Sequence, residues 1–207
     1  MTAALRVVVP GLMTTLQDLG RPGYQRLGVP VSGALDQMSL RAANLLAGNA
    51  ENAPALEMTL VGGAFEFEGS AVVALTGSDF GAGLPLWSAV EVKAGTVLRC
   101  GASRTGARCY LAIRGGIDAP KVLGSASTHL LTGLGGRALR AGDILKIGNA
   151  AVRRPRRDAV LAPRAADGAL RVTPGPQADW FGSELYEAAY TVQEESNRMG
   201  LRLRGVA

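Results

Sequence analysis

Short apolar runs that end at glycine recur along residues 56–147, and they limit the possible folds more than any other feature of the chain. Seven runs follow one another: LEMTLVG, AFEFEG, AVVALTG, AVEVKAG, TVLRCG, RCYLAIRGG and DILKIG. Runs of this length are typical of strands, and AFEFE alternates apolar and charged residues as a half-buried antiparallel strand does. LRVVV, which Pro10 ends, suits a further strand near the start. The sequence therefore predicts a mainly β fold with a few helices.

Two segments of this region share one pattern. Residues 93–101 (KAGTVLRCG) and 140–148 (RAGDILKIG) each give a basic residue, an Ala-Gly turn, a polar residue, an aliphatic residue, leucine, a basic residue, an apolar residue and glycine. A solenoid requires more copies at a fixed period. We interpret the two segments as equivalent hairpin corners of one barrel.

The composition is that of a globular chain. Of the 207 residues, 47% are hydrophobic and 19% are charged, far from the low-apolar, high-charge signature of disorder. Four arginines within residues 153–157 account for most of the net charge of +5, and no aromatic residue interleaves with them as a surface for stacking bases requires. We interpret residues 149–170 as a solvated linker and predict no nucleic-acid partner.

The sequence predicts a cytoplasmic protein without a membrane partner. It has no run of 18 apolar residues, and residues 1–10 lack the basic start, long apolar core and cleavage site of a signal peptide. Cys100 and Cys109 have neither metal-ligand nor CxxC spacing, so we predict no metal site. A disulfide between them is conceivable if they face each other across a hairpin that turns at residues 103–106. Two reduced, partly buried thiols are the interpretation that a cytosolic location favours.

Residues 14–49 form a polar stretch that leads into a helix. Glycines and prolines punctuate the stretch, so its aspartates, arginines and glutamines are rigidly placed, which is typical of a pocket wall. Apolar residues then recur at three- and four-residue spacing, at Leu35, Met38, Ala42, Leu45 and Leu46. Ser32 can cap the start of this helix, and the Gly-Asn pair at residues 48–49 ends it.

Further motifs follow this stretch in order: residues 76–79 (TGSD), 110–118 (YLAIRGGID), 123–129 (LGSASTH), 133–136 (GLGG), 174–181 (PGPQADWF) and 196–200 (SNRMG). Together with residues 14–49 they resemble the motifs of the C subunit of bacterial ATP-dependent 5-oxoprolinase. This family is also described as KipA or allophanate hydrolase subunit 2, and as biotin-dependent carboxyltransferase-like proteins. On these motifs the chain is identified as a member of that family.

The resemblance implies a cyclophilin-like β-barrel domain followed by a second, related one. We assign residues 1–148 to the first barrel, residues 149–170 to a linker and residues 171–207 to the N-terminal part of the second barrel. Members of the family continue beyond the SNRMG motif, so we expect the second domain to be incomplete here. A segment this short buries too little apolar surface to be stable alone.

Within the second unit, the pattern predicts a strand, a helix and another strand. LRVTPG suits a strand, Pro176 favours the first turn of a helix that runs to about residue 189, and YTV suits a second strand. Trp180 and Phe181 at the helix start are interpreted as core anchors rather than as groups that stack on a substrate.

The resemblance implies an enzyme component. Our leading hypothesis is the C subunit of an ATP-dependent 5-oxoprolinase, which acts with the B subunit, a kinase-inhibitor-like protein, and with the A subunit to open 5-oxoproline to glutamate. ATP with Mg would then be a substrate of the heteromeric complex. One alternative is a carboxyltransferase-like component of a urea or allophanate pathway, which receives carboxybiotin from elsewhere. A second is a non-catalytic regulatory partner that antagonises a kinase inhibitor of the B-subunit type.

The sequence lacks the motifs of two kinds of cofactor-binding site, the P-loop and the biotin carrier. The chain has no GxxxxGK[ST] element, so a nucleotide would be held by something other than a P-loop. Lys93, Lys121 and Lys146 lack the flanking methionines of a biotin carrier. We therefore predict no covalently bound biotin on this chain.

Arginines and glycine-rich turns are the candidates for binding the lactam carboxylate or a phosphate. Arg21, Arg26 and Arg41 offer forked donors, and Gly135 and Gly136 can expose backbone N–H groups to an oxyanion. The resemblance places the active cleft between two barrel domains. On that basis four residues of the second unit would face residues 14–49 across the cleft: Gln177, Asp179, Asn197 and Arg198.

Asp18, Asp36 and His129 are the candidate catalytic residues, and each has a structural alternative. In one interpretation Asp18 lines a substrate cleft together with Gln17 and Arg21. In the other, Asp18 and Arg21 tie their loop together with hydrogen bonds. Asp36 either acts as a site carboxylate or stabilises the start of the helix.

His129 and Asp79 have the same two kinds of interpretation. His129 is the only histidine, so proton transfer by an imidazole at neutral pH would have to use it. It lies in a Ser/Thr-rich loop, where a structural hydrogen bond is the alternative. Asp79 follows the AVVALTG strand and either presents its carboxylate to a substrate or forms a turn.

Overall fold

The computed structural model describes residues 4–150, 154, 172–180, 182–196 and 200–205. The chain divides into two compact units, residues 1–162 and 163–207. The division falls within the segment that the sequence indicates as a linker. The limits of the two barrel domains stay predictions.

Strands dominate the first unit, and every one of the seven glycine-ended runs contains one. The strands are β1 (Ala4–Val9), β2 (Met13–Gln17), β3 (Ala55–Thr59), β4 (Ala64–Phe67), β5 (Ala71–Gly77), β6 (Ala89–Val92), β7 (Val97–Arg99), β8 (Arg108–Ile113) and β9 (Ile144–Lys146). The mainly β prediction is confirmed. Some of the glycines that end these runs, such as Gly77 and Gly95, have a positive φ. Residues with a Cβ atom rarely adopt this backbone conformation.

The strands form two antiparallel sheets around one core. The order is β7-β4-β1-β9 in the four-stranded sheet and β2-β3-β8-β5-β6 in the five-stranded sheet. Phe65 and Phe67 of the first sheet and Leu75 and Leu111 of the second are fully buried in the same apolar cluster. Alternation places these side chains inward along each strand, as the period of a β-strand requires.

The two repeated segments occupy equivalent positions. β7 and β9 are the two edge strands of the four-stranded sheet. The N–H of Gly95 donates to the carbonyl of Phe67 (2.7 Å), and that of Gly142 donates to the carbonyl of Val7 (2.8 Å). The interpretation as hairpins was wrong. β7 pairs with β4 and β9 with β1, so each Ala-Gly turn leads into a strand that does not pair with the strand before it.

The polar stretch at residues 14–49 begins within strand β2, which the sequence did not predict. Its sequence MTTLQ is too polar to predict a buried strand, yet the four residues after Met13 are buried. Polar groups are satisfied locally: the hydroxyl of Thr14 donates to the carbonyl of Pro10 (2.6 Å). The carbonyls of Thr14 and Leu16 accept from the N–H groups of Leu139 and Thr128, so loops cover this sheet edge.

The helix α1 (Gln37–Ala47) begins later than Ser32 and presents a different face to the core. Ser32 has φ 58° and is not the cap. Leu35 and Met38 are 50% and 76% exposed, so their inclusion in the core-facing stripe was wrong. The buried face consists of Leu40, Ala43, Leu46 and Ala47, which pack on Ala74, Tyr110 and Ala112 of the five-stranded sheet. Alanines on this face let the helix approach the sheet closely.

The second unit contains only short elements in its described residues. They are a 3-10 turn (Ala178–Trp180), α2 (Glu184–Glu187), β10 (Thr191–Val192) and β11 (Leu203–Arg204), of which the two strands pair with each other. The continuous helix predicted from Pro176 was wrong. Gly182 lies between the two helical turns, where glycine disfavours helix. Trp180 is 75% exposed, contrary to its interpretation as a core anchor, and Phe181 lies outside the described residues.

Both cysteines are free, buried thiols, as the sequence favoured. In the described parts of the chain, every helix is too short or too polar to cross a lipid bilayer.

Candidate functional site

The Asp18 carboxylate joins two distant loops of the first unit. It is 4% exposed, and it accepts hydrogen bonds from the N–H of Gly20 (2.7 Å), the hydroxyl of Ser125 (2.6 Å), the N–H of Ala126 (2.8 Å) and the hydroxyl of Ser127. Its own N–H donates to the Ser127 hydroxyl (2.9 Å). Four donors satisfy a buried carboxylate. Asp18 therefore fixes the path of the chain immediately after β2.

Arg21 continues this network and is 1% exposed. Its guanidinium donates to the carbonyl of Val122 (Nε, 3.2 Å), the hydroxyl of Ser32 (Nη1, 3.0 Å) and the carbonyl of Ser127 (Nη2). Burial lowers the pKa of Arg21, and the nearby Asp18 carboxylate opposes that shift. All three guanidinium nitrogens are thus bonded to protein groups, which fits the loop-tying interpretation, and a substrate-binding role for Arg21 stays a prediction.

Gly135 packs directly against this network. It has φ +77°, and a Cβ there would overlap the carbonyl oxygen of Ser127 and approach Arg21 Nη2 to 2.9 Å. Glycine is therefore required for the close approach of the two loops. Gly136 has φ +130°, and its N–H donates to the carbonyl of Gly133 (3.2 Å). That N–H is bonded within the turn, and contact of Gly135 or Gly136 with an oxyanion stays a prediction.

Gln17 precedes the network and is fully buried. Its Nε2 donates to the hydroxyl of Thr15 (3.0 Å) and the carbonyl of Thr128 (3.0 Å). Its Oε1 has no hydrogen-bond partner among the described residues. The amide of Gln17 thus attaches β2 to the loop at residue 128, and a substrate-binding role for Gln17 stays a prediction.

A cleft of about 480 Å³ opens beside this network. Two of its sides are residues 18–22 and helix α1, and the described residues that line it belong to the first unit. The lining residues are Asp18, Leu19, Gly20, Pro22, Val31, Gln37, Arg41, Asn52 and Gly124. Seven of these nine come from residues 14–49. The cleft combines apolar walls with a few polar groups, which is the usual character of a small-molecule site.

Three polar side chains face the cleft from α1 and the turn that follows it. Arg41 Nη1 lies 2.6 Å from Glu51 Oε2, and the two side chains are 39% and 48% exposed. The side-chain amides of Gln37 and Asn52 form no hydrogen bond with any described residue. These groups are available to a ligand, and Arg41 gives them a positive charge.

A second buried network holds the start of α1 against the sheet. Glu57, which is 1% exposed, accepts from the N–H of Leu35 (2.8 Å) and from the hydroxyl of Tyr110 (2.8 Å). The Tyr110 hydroxyl in turn accepts from the N–H of Asp36 (2.8 Å). Burial, followed by the nearby Glu57 carboxylate, raises the pKa of Tyr110. A protonated Tyr110 remains a donor to Glu57, so the helix start stays fixed.

Asp36 is the N-cap of α1. Its carboxylate accepts from the N–H (3.0 Å) and the hydroxyl of Ser39. Asp36 is exposed and does not line the cleft. The geometry fits the helix-stabilising interpretation, and a catalytic role for Asp36 stays a prediction.

Three further candidates in the first unit are not among the residues that line the cleft. His129 Nδ1 is 2.9 Å from the Thr132 hydroxyl in its own loop. Asp79 accepts from the N–H of Gly81 (2.7 Å) and pairs with Arg104 (3.3 Å), as a turn aspartate does. Arg26 is exposed on a 3-10 turn (Gln25–Leu27). Their roles in a site stay predictions.

The site roles of the candidates in the second unit stay predictions. Gln177 is exposed in the described part of that unit, and Asn197 and Arg198 lie outside the described residues. No group of three or more His, Cys, Asp and Glu side chains suited to a metal ion occurs among the residues that the structure describes.

The sequence alone did not single out Ser125, Ser127, Glu57 or Asn52. The serines lie in the LGSASTH motif, whose pattern assigns no structural or catalytic role to its individual residues. Their partner Asp18 is 107 to 109 residues away, beyond any local pattern. Glu57 is the charged residue of the apolar run LEMTLVG, and a buried charge in a strand is a usable signal because it requires partners.

The chain is similar to known proteins in both sequence and fold. The family described as "Carboxyltransferase domain, subdomain A and B" matches residues 27–207. The C subunit of Escherichia coli 5-oxoprolinase is 40% identical over 217 residues, covering 97% of this chain and 68% of that protein. Saccharomyces cerevisiae urea amidolyase is 38% identical over 226 residues, covering 98% of this chain and 12% of that protein.

The fold matches a solved structure over almost the whole chain. The crystal structure of the K. lactis urea amidolyase superimposes with a TM-score of 0.81 at 33% sequence identity, covering 99% of this chain and 14% of that one. The chain thus spans about two thirds of the length of the bacterial protein and a small part of the fungal enzymes.

Proposed function

This chain belongs to the carboxyltransferase domain family, subdomains A and B, and we propose that it is the C subunit of an ATP-dependent 5-oxoprolinase. In this proposal it acts with the A and B subunits to open 5-oxoproline to glutamate. The observation that supports the proposal most is the 40% identity to the C subunit of E. coli 5-oxoprolinase over 97% of this chain.

The chemistry of the lactam sets what the complex has to do. Opening the ring breaks a stable amide C–N bond, and phosphorylation of the amide oxygen by ATP makes that carbon open to attack by water. ATP with Mg is then a substrate of the complex, and we assign no nucleotide contact to this chain. The described residues supply a cleft with one arginine and two amide side chains, groups that suit a small carboxylate next to an amide.

Reconstitution tests this function. The chain is mixed with the A and B subunits, and glutamate and ADP are measured after addition of 5-oxoproline and MgATP. We expect both products only when all three proteins are present. Equal glutamate formation by the two partner proteins without this chain, or none with it, would overturn the proposal.

A direct test of the partner is independent of turnover. Size-exclusion chromatography of this chain with the B subunit is expected to give one earlier-eluting species that contains both. Separate elution of the two proteins at concentrations of about 10 μM would contradict a heteromer of useful affinity.

A second candidate is a carboxyltransferase component that uses carboxybiotin carried by another protein. The family match and the 38% identity to urea amidolyase over 98% of this chain favour it. Incubation with a carboxylated biotin carrier, urea and labelled bicarbonate distinguishes the two functions. Transfer of label to urea, without glutamate formation from 5-oxoproline, would favour the carboxyltransferase.

A further inference from the structure

We propose that the cleft between residues 18–22 and helix α1 binds the 5-oxoproline molecule itself. Arg41 binds the carboxylate, and Gln37 and Asn52 bind the lactam amide. This inference rests on the proposed function, since that function supplies the class of ligand. It adds the place of binding and the role of each side chain.

The lining of the cleft matches a small ring with one anionic edge and one amide edge. Leu19, Pro22 and Val31 give apolar surface for the ring methylenes. The polar groups come from different elements, α1 and the turn after it. Since the volume of about 480 Å³ exceeds that of one such lactam, space remains for a phosphate group to reach the amide oxygen.

The guanidinium of Arg41 has N–H donors that form no hydrogen bond with the described residues. Only its Nη1 is bonded, to Glu51 at 2.6 Å, while Nε and Nη2 have no partner among the described residues. A guanidinium binds a carboxylate through two parallel N–H donors. Arg21, by comparison, has all three of its nitrogens bonded to protein groups. Arg41 is therefore the residue of this pair that can recognise an anion.

Glu51 competes with the ligand for Arg41. The pair is exposed on both sides, and an exposed ion pair contributes little to stability. A ligand carboxylate can replace the Glu51 carboxylate in a similar geometry, so Arg41 keeps a partner in both states. Removal of the Glu51 charge is therefore expected to tighten binding, while removal of the Arg41 charge weakens it.

Gln37 and Asn52 complement the amide. Each carries a carbonyl acceptor and an NH₂ donor, and neither side chain is bonded within the described part of the chain. A lactam presents one N–H and one C=O on the same edge of its ring. Two amide side chains can satisfy both groups.

The scaffold holds these groups in place before the ligand arrives. Arg41 and Gln37 are one turn apart on α1, whose start is fixed by the bonds of Leu35 and Asp36 to Glu57 and Tyr110. The facing wall is fixed through the Asp18 carboxylate. Preorganised walls reduce the entropy lost on binding.

Calorimetric titration of the 207-residue chain, without its partner proteins, tests the inference. 5-Oxoproline is compared with pyrrolidin-2-one, which lacks the carboxylate, and with acetate, which lacks the lactam. We expect saturable binding of 5-oxoproline and at least about tenfold weaker binding of the other two, because each loses one set of charge-assisted or amide hydrogen bonds.

Two charge variants and one control sharpen the test. Arg41→Gln is expected to weaken 5-oxoproline binding by about tenfold, and Glu51→Gln to strengthen it. Arg6→Gln is the matched control. Arg6 forms a pair with Glu68 at 2.8 Å and similar exposure, but it lies on the four-stranded sheet and not in the cleft. Its removal should leave binding unchanged.

The outcomes separate this inference from the proposed function. No saturable binding of 5-oxoproline by the folded chain up to roughly 10 mM overturns the inference, as does equal binding by Arg41→Gln. If the reconstituted complex forms glutamate and Arg41→Gln leaves KM unchanged, the inference fails while the proposed function stands. If 5-oxoproline binds in an Arg41-dependent way but the complex forms no glutamate, the proposed function fails and the cleft assignment stands.

Discussion

The Asp18 carboxylate shows how one residue can determine a local fold. Its four donors come from its own loop and from residues 125–127, so it fixes two segments that are far apart in sequence. The carboxylate is buried, and a buried acceptor that loses its donors carries the full desolvation penalty. The same contacts hold Gly20 and Leu19 at the cleft.

Asp18→Asn is expected to lower the free energy of unfolding by about 2–3 kcal/mol. The NH₂ group replaces one carboxylate oxygen. It then faces either the Ala126 N–H, which donates to Oδ2, or the three donors to Oδ1, so two donors oppose each other in either orientation. Urea denaturation followed by circular dichroism measures the loss.

Asp79→Asn is the matched control for this substitution. Asp79 also accepts from the N–H two residues ahead, at Gly81, but its side chain is 39% exposed. We expect a change within about 0.5 kcal/mol, since solvent can rearrange around an exposed amide. Equal losses in the two variants would contradict the role given to the distant donors of Asp18.

The two thiols are expected to be inert in the folded protein. Burial raises the pKa of Cys100 to about 12 and also raises the pKa of Cys109, where Cys100 and Asp79 add to the shift. The reactive thiolate is therefore scarce at about pH 8, and labelling should be at least about a hundredfold slower than in denaturant. The rate should rise only as the pH approaches 12. Rapid labelling by Ellman's reagent without denaturant would contradict this.

At the scale of elements, α1 connects the sheet to the cleft. One face packs on Ala74, Tyr110 and Ala112, and Gln37 and Arg41 lie on a side that lines the cleft. The helix is short, so much of its stability comes from this packing and from its ends. Gly48 in the left-handed region ends it, and Asp36 caps its start.

Asp36→Ala is expected to destabilise the protein by about 1 kcal/mol, because the N–H of Ser39 loses its acceptor. Asp36→Asn keeps an acceptor at the cap, so it should lower the free energy of unfolding by only a few tenths of the loss in Asp36→Ala. Thermal unfolding distinguishes the two.

The same pair decides between the two interpretations of Asp36. If Asp36 only caps the helix, Asp36→Asn should leave turnover of the reconstituted enzyme near that of the unchanged protein. A loss of kcat in Asp36→Asn, with stability retained, would instead support the catalytic prediction.

The strands were predictable because each apolar run is ended by a turn residue. Periodicity is local, so AVVALTG and RCYLAIRGG could be recognised without knowledge of their partners. Strand β2 was missed because threonine and glutamine at its positions look polar, and only the loops that cover its edge make them buried. The phase of α1 was misjudged because Ala43 and Ala47 carry the packing while the larger Leu35 and Met38 point outward.

The site was predictable in part for the same reason. Residues 14–49 contain seven of the nine residues that line the cleft, and their rigid polar character was visible in the sequence. Whether Asp18 and Arg21 bind a substrate or tie the loop depends on residues 122–127, which no local pattern connects to them. Asn52 and Glu51 look like ordinary turn residues until the fold places them beside Arg41.

At the scale of the whole first unit, the four-stranded sheet has an approximate internal symmetry. β1 and β4 pair antiparallel at its centre, with Leu5 opposite Phe67 and Val7 opposite Phe65. The repeated segments then add β9 and β7 at the two edges through the same hydrogen bonds. The likeness of residues 93–101 and 140–148 therefore reflects equivalent positions rather than shared chemistry.

The two sheets are joined where β8 ends and β9 ends. The N–H of Gly148 donates to the carbonyl of Gly116 (2.9 Å), and Ile117 forms a bridge with Ile147. Gly115 lies at the centre of this junction with φ +96°, and a Cβ there would overlap the carbonyl oxygen of Gly148. Glycine is therefore required on two grounds, its backbone conformation and the space around it.

Gly115→Ala is accordingly expected to lower the free energy of unfolding by about 3 kcal/mol or more, through backbone strain and a forced separation of the sheets. Gly142→Ala isolates the first cause, because Gly142 has φ +88° with no atom within 4 Å of the added methyl group. The control should lose about 1–2 kcal/mol. Urea denaturation of both variants measures the difference, which gives the contribution of the junction. Equal losses would show that the close approach of Gly115 and Gly148 does not hold the two sheets together.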